Sequence, residues 1–282
     1  MSRDTAGSQT TGLDQREVAT ETLDAFHRGG FHVLQPKGGG HRSGVDAMLL
    51  AALVAADGPI TVADLGAGAG AAGMAVASRL PGARVVLVER SSLMADYARR
   101  SIALAQNAHL VGRIGVVEAD VTLAGRARVA AGLADDSFQH VIMNPPFNNA
   151  GDRTTPDRLK AEAHAMTDGL FEAWIRTAGA IMVPGGQLSL IARPESVTDI
   201  IAACGKRFGG IEMTLVHPRP DADATRILVT AIKGSRARLA FRAPLILHGE
   251  EGHAFLKAAD DLNNGRSAYP RRMPRQGRMT AI

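Results

Sequence analysis

The stretch Val62-Ala63-Asp64-Leu65-Gly66-Ala67-Gly68-Ala69-Gly70 constrains the fold more than any other part of the chain. A short apolar run passes into alternating glycines and then into the helix-forming residues Ala71–Leu80. This order reads as a buried strand, a tight turn and a helix. The alternation continues. Strands are predicted at 61–64, 84–89, 113–118, 138–143 and 187–192. Between and after them lie helical patterns at Ala71–Leu80, Leu93–Asn107, Thr122–Ala131, Leu170–Ala180 and Glu195–Cys204. Two further strands, 211–217 and 226–232, read as a hairpin. The pattern predicts an α/β protein with a doubly wound, largely parallel, seven-stranded sheet and an antiparallel last hairpin.

The flanks read differently. Residues 1–15 are Ser/Thr/Gly-rich and are expected to be disordered. Residues 16–57 form an expected N-terminal extension packing on the core. It contains a helix over Arg16–His27, a strand over Phe31–Gln35 and a helix over Ala47–Ala56 capped by Asp46. The main domain is expected over 58–262, with a strand pair broken at Pro244 and a helix over Gly252–Leu262. A basic, irregular tail occupies 263–282.

Composition narrows the functional classes. At 282 residues and 45% hydrophobic, the chain has ample material for one large core. The lone Cys204 excludes an internal disulfide framework and reads as a small core hydrophobe. His41, His164 and His217 are scattered and show no ligand spacing, so no metal is expected. The N-terminus is polar and unlike a signal peptide. The apolar run Met48–Ala56 is far short of the roughly 20 residues of a membrane span. A soluble cytoplasmic protein without membrane contact is the expectation. The net charge of +4 divides unevenly: residues 1–216 carry 20 basic and 22 acidic side chains, residues 217–282 carry 12 and 6. Arg266, Arg271, Arg272, Arg275 and Arg278 meet no acid in the last 17 residues. This end suits an anionic partner such as nucleic acid, or is a solvated tail.

In a parallel α/β sheet, ligands bind beyond the carboxyl ends of the strands. Gly68-Ala69-Gly70-Ala71-Ala72-Gly73 matches the G-x-G-x-x-G dinucleotide pattern, and Glu89 closes the next strand 21 residues after Gly68. A nicotinamide oxidoreductase is therefore one reading. Asp64, however, stands before the glycines, where a carboxylate repels pyrophosphate and suits a cationic ligand end. Asp120 closes the third strand, where it can accept from an adenine amine. Acids at three successive strand ends favour S-adenosylmethionine, with its amine and sulfonium, over a phosphate-bearing cofactor. Each acid could instead cap a helix.

Asn144-Pro145-Pro146-Phe147 follows the strand ending at Met143. Neither proline nitrogen can donate, so the carbonyls and the Asn144 carboxamide remain as acceptors, and Phe147 offers a flat face. This set can hold a planar substrate by its exocyclic amine. During methyl transfer the nitrogen gains positive charge and its protons acidify, so oxygen acceptors strengthen in the transition state. A plain turn is the alternative.

With these motifs the chain resembles class I S-adenosylmethionine-dependent methyltransferases of the amino-methylating kind, which have a Rossmann-like fold, over roughly residues 22–262. The detail is most similar to the bacterial tRNA1(Val) adenine-37 N6-methyltransferase family, at His41–Leu53, DLGAGAG, NPPF and Pro244–Ala258. The resemblance implies that Asp64, Gly66, Gly68 and Gly70 form the cofactor turn. Glu89 would hold the ribose and Asp120 the adenine amine. Asn144 and Pro145 would orient the target amine, with Phe147 stacking on the base. Gly44 and Asp46 would close one side of the pocket, and Arg42 would meet RNA phosphate or lie on the surface. An RNA substrate, most closely a tRNA, follows. Many relatives carry Tyr at the position of Phe147. Phe occurs there in enzymes methylating guanine N2 of ribosomal RNA, and the motif is shared with release-factor glutamine methyltransferases, so those substrates stay as alternatives. A non-catalytic RNA-binding protein that keeps the fold is a further alternative, and the intact NPPF argues against it.

Among other residues, Trp174 is expected in the core beside Leu170, Phe171 and Ile175. Ser43 and Ser189 lack a nucleophile-elbow context. The loop Asn148–Lys160 reads as a substrate lid or a solvated loop.

Overall fold

A computed structural model describes residues 21–37, 43–146 and 169–272, centred on a sheet of nine strands. Seven of them form its body: β3 (Ile60–Leu65), β4 (Ala83–Glu89), β5 (Ile114–Glu118), β6 (Phe138–Met143), β7 (Met182–Ala192), β8 (Phe208–His217) and β9 (Arg226–Lys233). Two short strands, β10 (Ala240–Phe241) and β11 (Leu245–Ile246), both pair parallel with β8. The spatial order is β10-β8-β9-β7-β6-β3-β4-β5, with β11 also on β8. Only β9 runs against its neighbours. The expected seven strands are thus nine. The strand pair expected around Pro244 is β10 and β11, which pair not with each other but with the free edge of β8.

Helices cover both faces, so the central strands are buried almost continuously. On one face lie α1 (Val45–Ala52), α2 (Ala71–Arg79) and α3 (Ser92–Ile102), packed with Val62, Val85, Leu87 and Ile142. The other face carries α5 (Leu170–Ile181) and α6 (Val197–Cys204), packed with Ala63, Leu65, Val141 and Met143. Two short helices complete the described residues: α4 (Gly125–Ala130), after β5, and α7 (Lys257–Asn263).

The expected helix over Arg16–His27 is corrected where it is described. Glu21–Phe26 is a strand, β1, paired antiparallel with β2 (Phe31–Pro36), and Phe26 stacks on Phe31 at 5.4 Å. Asn107 anchors this hairpin: its amide donates to His32 O (2.6 Å) and Ser101 O (2.7 Å), and its carbonyl accepts from His32 N (2.9 Å). The same residue sits in a 3-10 turn over Ala105–Leu110, so the expected helix Leu93–Asn107 stops at Ile102. The helix expected from Gly252 starts at Lys257, because Arg219 takes the carbonyls of Gly249, Glu250 and Gly252.

Residues 264–272 are irregular but docked. Tyr269 N donates to Ala52 O at 2.7 Å, and Arg242 lies 4.1 Å over the Tyr269 ring. Arg271 bonds Thr230 Oγ1 (2.7 Å) and Gly210 O and lies 3.7 Å from Glu212. Arg266 pairs with Asp260 and Asp261.

Candidate active site

Strand β3 delivers Asp64 and Leu65 to a turn whose three glycines, Gly66, Gly68 and Gly70, have φ of 71°, 56° and 91°. Side chains rarely adopt that left-handed region. The turn is pinned to β4, since Val88 O accepts from Gly66 N (2.8 Å) and Ala67 N (3.0 Å). Behind it stands Trp174 of α5. A Cβ built on Gly66 would fall 2.4 Å from the indole. In α2, a Cβ on Gly73 would fall 2.3 Å from Leu87, so glycine lets the helix close onto the sheet.

The three acids stand at neighbouring strand ends, in the sheet order β3-β4-β5. Asp64 is only 2% exposed, and its carboxylate accepts from Gly73 N at 2.8 Å. Burial pushes its carboxyl up to about 7, against the Gly73 N–H that favours the charged form, with Glu89 adding repulsion. Glu89 bridges two segments. One oxygen accepts from Gly68 N and the other from Ser91 N, both at 2.8 Å. Ser91 in turn caps α3 by accepting from Met94 N. Asp120 Oδ1 accepts from Thr122 N and Thr122 Oγ1, both at 2.7 Å, which fixes a local turn and delays α4 to Gly125 instead of the expected Thr122. An open depression of about 770 Å³ lies beyond the ends of β4 and β5, lined by Arg90, Ser91, Leu93, Glu118 and Asp120 among others; Asp64 and Glu89 are not in its lining.

Strand β6 lies beside β3 with Met143 opposite Leu65. This register sets Asn144 next to Gly66. Asn144 Oδ1 is buried with no hydrogen-bond partner among the described residues. Such an orphan acceptor is costly unless something outside the chain fills it. Pro145 is buried beside it. The expectations placed on Phe147, His41, Arg42, His164 and the loop Asn148–Lys160 lie outside the described residues.

Asp46 does not cap α1. Gly44 occupies the capping position, and Asp46 pairs with Arg226 at 2.7 Å, tying α1 to the start of β9. Ser189 meets His140 at 2.9 Å in the core, where burial and Arg79 push the imidazole down to about 3. Cys204 is buried and its thiol is pushed up to about 11, as befits a core hydrophobe. His217 Nδ1 lies 2.7 Å from Ala222 O, closing the loop between β8 and β9. Among the described residues no helix is long and apolar enough to cross a membrane, and no group of His, Cys, Asp and Glu could hold a metal. Trp174 and Ser91 are the residues whose part in the site the sequence reading missed. A Ser just before a predicted helix was an available signal for Ser91. Nothing local connects Trp174 to Gly66.

Comparison with known proteins bears on the family and the fold. Residues 43–214 match the Methyltransferase small domain family. A tRNA1(Val) (adenine(37)-N6)-methyltransferase of Porphyromonas gingivalis is 26% identical over 219 residues, spanning 75% of this chain and 83% of that protein. A release factor glutamine methyltransferase of Chlorobaculum tepidum is 36% identical over 104 residues, spanning 36% of this chain and 32% of that protein. Among solved structures, one described as a predicted O-methyltransferase from Agrobacterium tumefaciens is 62% identical, with a TM-score of 0.72, covering 81% of this chain and all (100%) of that one. These matches remove the oxidoreductase reading. A turn shaped for close approach, a buried carboxylate and this ancestry lead to one conclusion: the chain belongs to the Methyltransferase small domain family and is an S-adenosylmethionine-dependent methyltransferase.

Proposed function

We propose that this enzyme methylates the exocyclic N6 of an adenine in RNA, in a tRNA of the tRNA1(Val) A37 kind, in the cytoplasm. The observation that carries the reading is the buried, unpartnered Asn144 Oδ1 directly after β6. It stands with the Pro145 carbonyl where no proline nitrogen can donate. Two acceptors match a nucleophile carrying two protons. A hydroxyl carries one, so the arrangement favours nitrogen over oxygen as the methyl acceptor. The tRNA assignment draws on the Porphyromonas relative and on the His41–Leu53 motif.

The residues present fit S-adenosylmethionine. Asp64 is a carboxylate whose ionisation a cationic ligand would favour, the turn at Gly66, Gly68 and Gly70 presents bare backbone, and Glu89 and Asp120 retain acceptor capacity at the next two strand ends. When bound, it supplies an electrophilic methyl group on a sulfonium. In this reading Asp64 faces the cationic end, Glu89 accepts from the ribose hydroxyls and Asp120 from the adenine amine. Asn144 and Pro145 accept the N–H bonds of the target and orient its nitrogen, and Phe147 stacks on the base. As the nitrogen acidifies, the two acceptors hold it more tightly than they hold the ground state.

Nucleoside mass spectrometry of RNA from a deletion strain, with methyl transfer from labelled S-adenosylmethionine by the purified chain, tests the proposal. The expected outcome is loss of one N6-methyladenine from tRNA and its restoration in vitro. Loss of N2-methylguanine from ribosomal RNA, a 2′-O-methyl product, or label appearing only in protein would each overturn it.

A further inference from the structure

From the outer edge of the sheet we infer a second contact for RNA, remote from the reacting amine. It rests on the proposed RNA substrate. After β9 the chain turns back and climbs the free edge of β8. Gly234 N donates to Arg207 O and Gly210 N to Ala237 O, both at 2.8 Å, before Phe241 pairs with Met213. This returning segment carries Arg236, Arg238 and Phe241, all exposed, with Phe241 at 62%.

The neighbouring cations divide into two groups. Arg242 and Arg271 converge on Glu212, Arg266 on Asp260 and Asp261, and Arg207 on Glu172, so each of these cations has an acidic partner within the fold. Lys206, Arg236 and Arg238 are exposed and have no ion-pair or hydrogen-bond partner among the described residues. Arg272 is exposed too, and only its backbone N–H is engaged, by Glu212. Among the described residues, uncompensated positive charge of the C-terminal third therefore lies on this edge, which Arg272 joins, while Arg266 and Arg271 are paired.

Charge on an edge strand blocks edge-to-edge pairing, and two arginines suffice for that. An exposed phenylalanine among unpaired cations works against that protection. It matches a ligand with phosphates and stackable bases, which needs both. Three strands separate β10 from β6, so at the usual strand spacing this edge lies about 20 Å across the sheet from Asn144. A folded RNA can bridge that distance and a single nucleotide cannot.

The test uses the full chain with fluorescently labelled, unfractionated tRNA, measuring anisotropy across a series of KCl concentrations. The variant R236A/R238A/R272A is expected to bind at least about tenfold more weakly at low salt. Its slope of log K against log[KCl] should be shallower by about 2 to 3, from three lost phosphate contacts. R236K/R238K/R272K should keep the slope, and F241A should lose about tenfold in affinity at unchanged slope. Unchanged melting temperature and S-adenosylmethionine affinity in each variant establish that the fold is intact. Unchanged tRNA affinity and slope in the alanine variant would overturn the inference. So would a wild-type chain that ignores tRNA yet binds anionic vesicles or an acidic peptide. Methyl transfer to tRNA with an unchanged slope in the variant would refute only this surface. Arginine-dependent tRNA binding without methyl transfer would refute only the proposed substrate.

Discussion

The indole of Trp174 occupies the space that a side chain on Gly66 would need, with Cη2 2.4 Å and Cζ3 2.9 Å from the position of a Cβ there. A helix of one face thus props the turn that begins the candidate cofactor site. Trp174 is also the chain's only tryptophan, so its fluorescence reports on that turn.

Gly66→Ala should therefore fail twice, through the clash and through its φ of 71°. The expected loss is about 2–4 kcal/mol of stability, with weakened S-adenosylmethionine binding. Adding Trp174→Phe should restore part of the stability. Chemical denaturation of the single and double variants checks this, and no recovery in the double variant would sever the link between the two residues.

Asn144→Ala separates activity from stability. Because Oδ1 is buried without a partner, its removal relieves a desolvation cost, and the variant should be no less stable than the wild type. Methyl transfer should fall by about 10²-fold or more while S-adenosylmethionine still binds. Calorimetry beside a labelled-methyl assay would decide it. A variant as active as the wild type would remove Asn144 from the chemistry.

Asp64 makes the site sensitive to pH. Its folded value, about 7, lies above the unfolded 3.8, so between them the folded protein holds a proton that the unfolded chain has released. Its contribution to stability is therefore most favourable at low pH and declines as pH rises towards 7. Affinity for a cationic cofactor runs the other way. It should rise up to about tenfold per pH unit below 7 and level off above, since binding draws on the ionised carboxylate. Burial raises the value most, the Gly73 N–H lowers it, and repulsion from Glu89 raises it further. Titration calorimetry of wild type and Asp64→Asn from pH 5.5 to 8.5 tests both slopes, and an identical dependence in the variant would clear Asp64 of the effect.

Glu212 holds Arg242 at 4.0 Å and Arg271 at 3.7 Å, with all three side chains largely buried. Glu212→Ala leaves two arginines facing each other without a counter-charge. The expected cost is about 3 kcal/mol, seen as a lower melting temperature. A melt unchanged from wild type would mean that the C-terminal segment is held by Tyr269 and its own backbone instead.

What the chain disclosed by sequence alone was whatever is set locally. The strand-turn-helix unit at Asp64–Arg79 follows from apolar runs and glycines a few residues apart. So does the placement of Glu89 and Asp120 at successive strand ends. The misreadings were set by partners far away. Leu23 and Phe26 fit a helical spacing, yet Phe31–Pro36 captures them as a strand. The strands at Ala240 and Leu245 were expected, but their partner, the open edge of β8, was not. Asp46 looked like a cap because a carboxylate before a helix often is one. Arg226, 180 positions later, outbids the helix end. The contact of Trp174 with Gly66 and the capture of Arg271 by Glu212 belong to the same class.

The docking of the C-terminal segment bears on how the protein is made. Arg28, in the first hairpin, pairs at 3.0 Å with Asp260, 232 positions later, and Tyr269 closes onto Ala52. The first hairpin and α1 thus wait for residues more than 200 positions later before their cover is complete. Contacts of such long sequence separation form late and slowly. A chain truncated before Asp260 would lose the Arg28–Asp260 pair and the Tyr269–Ala52 bond, leaving the hairpin and α1 unsealed.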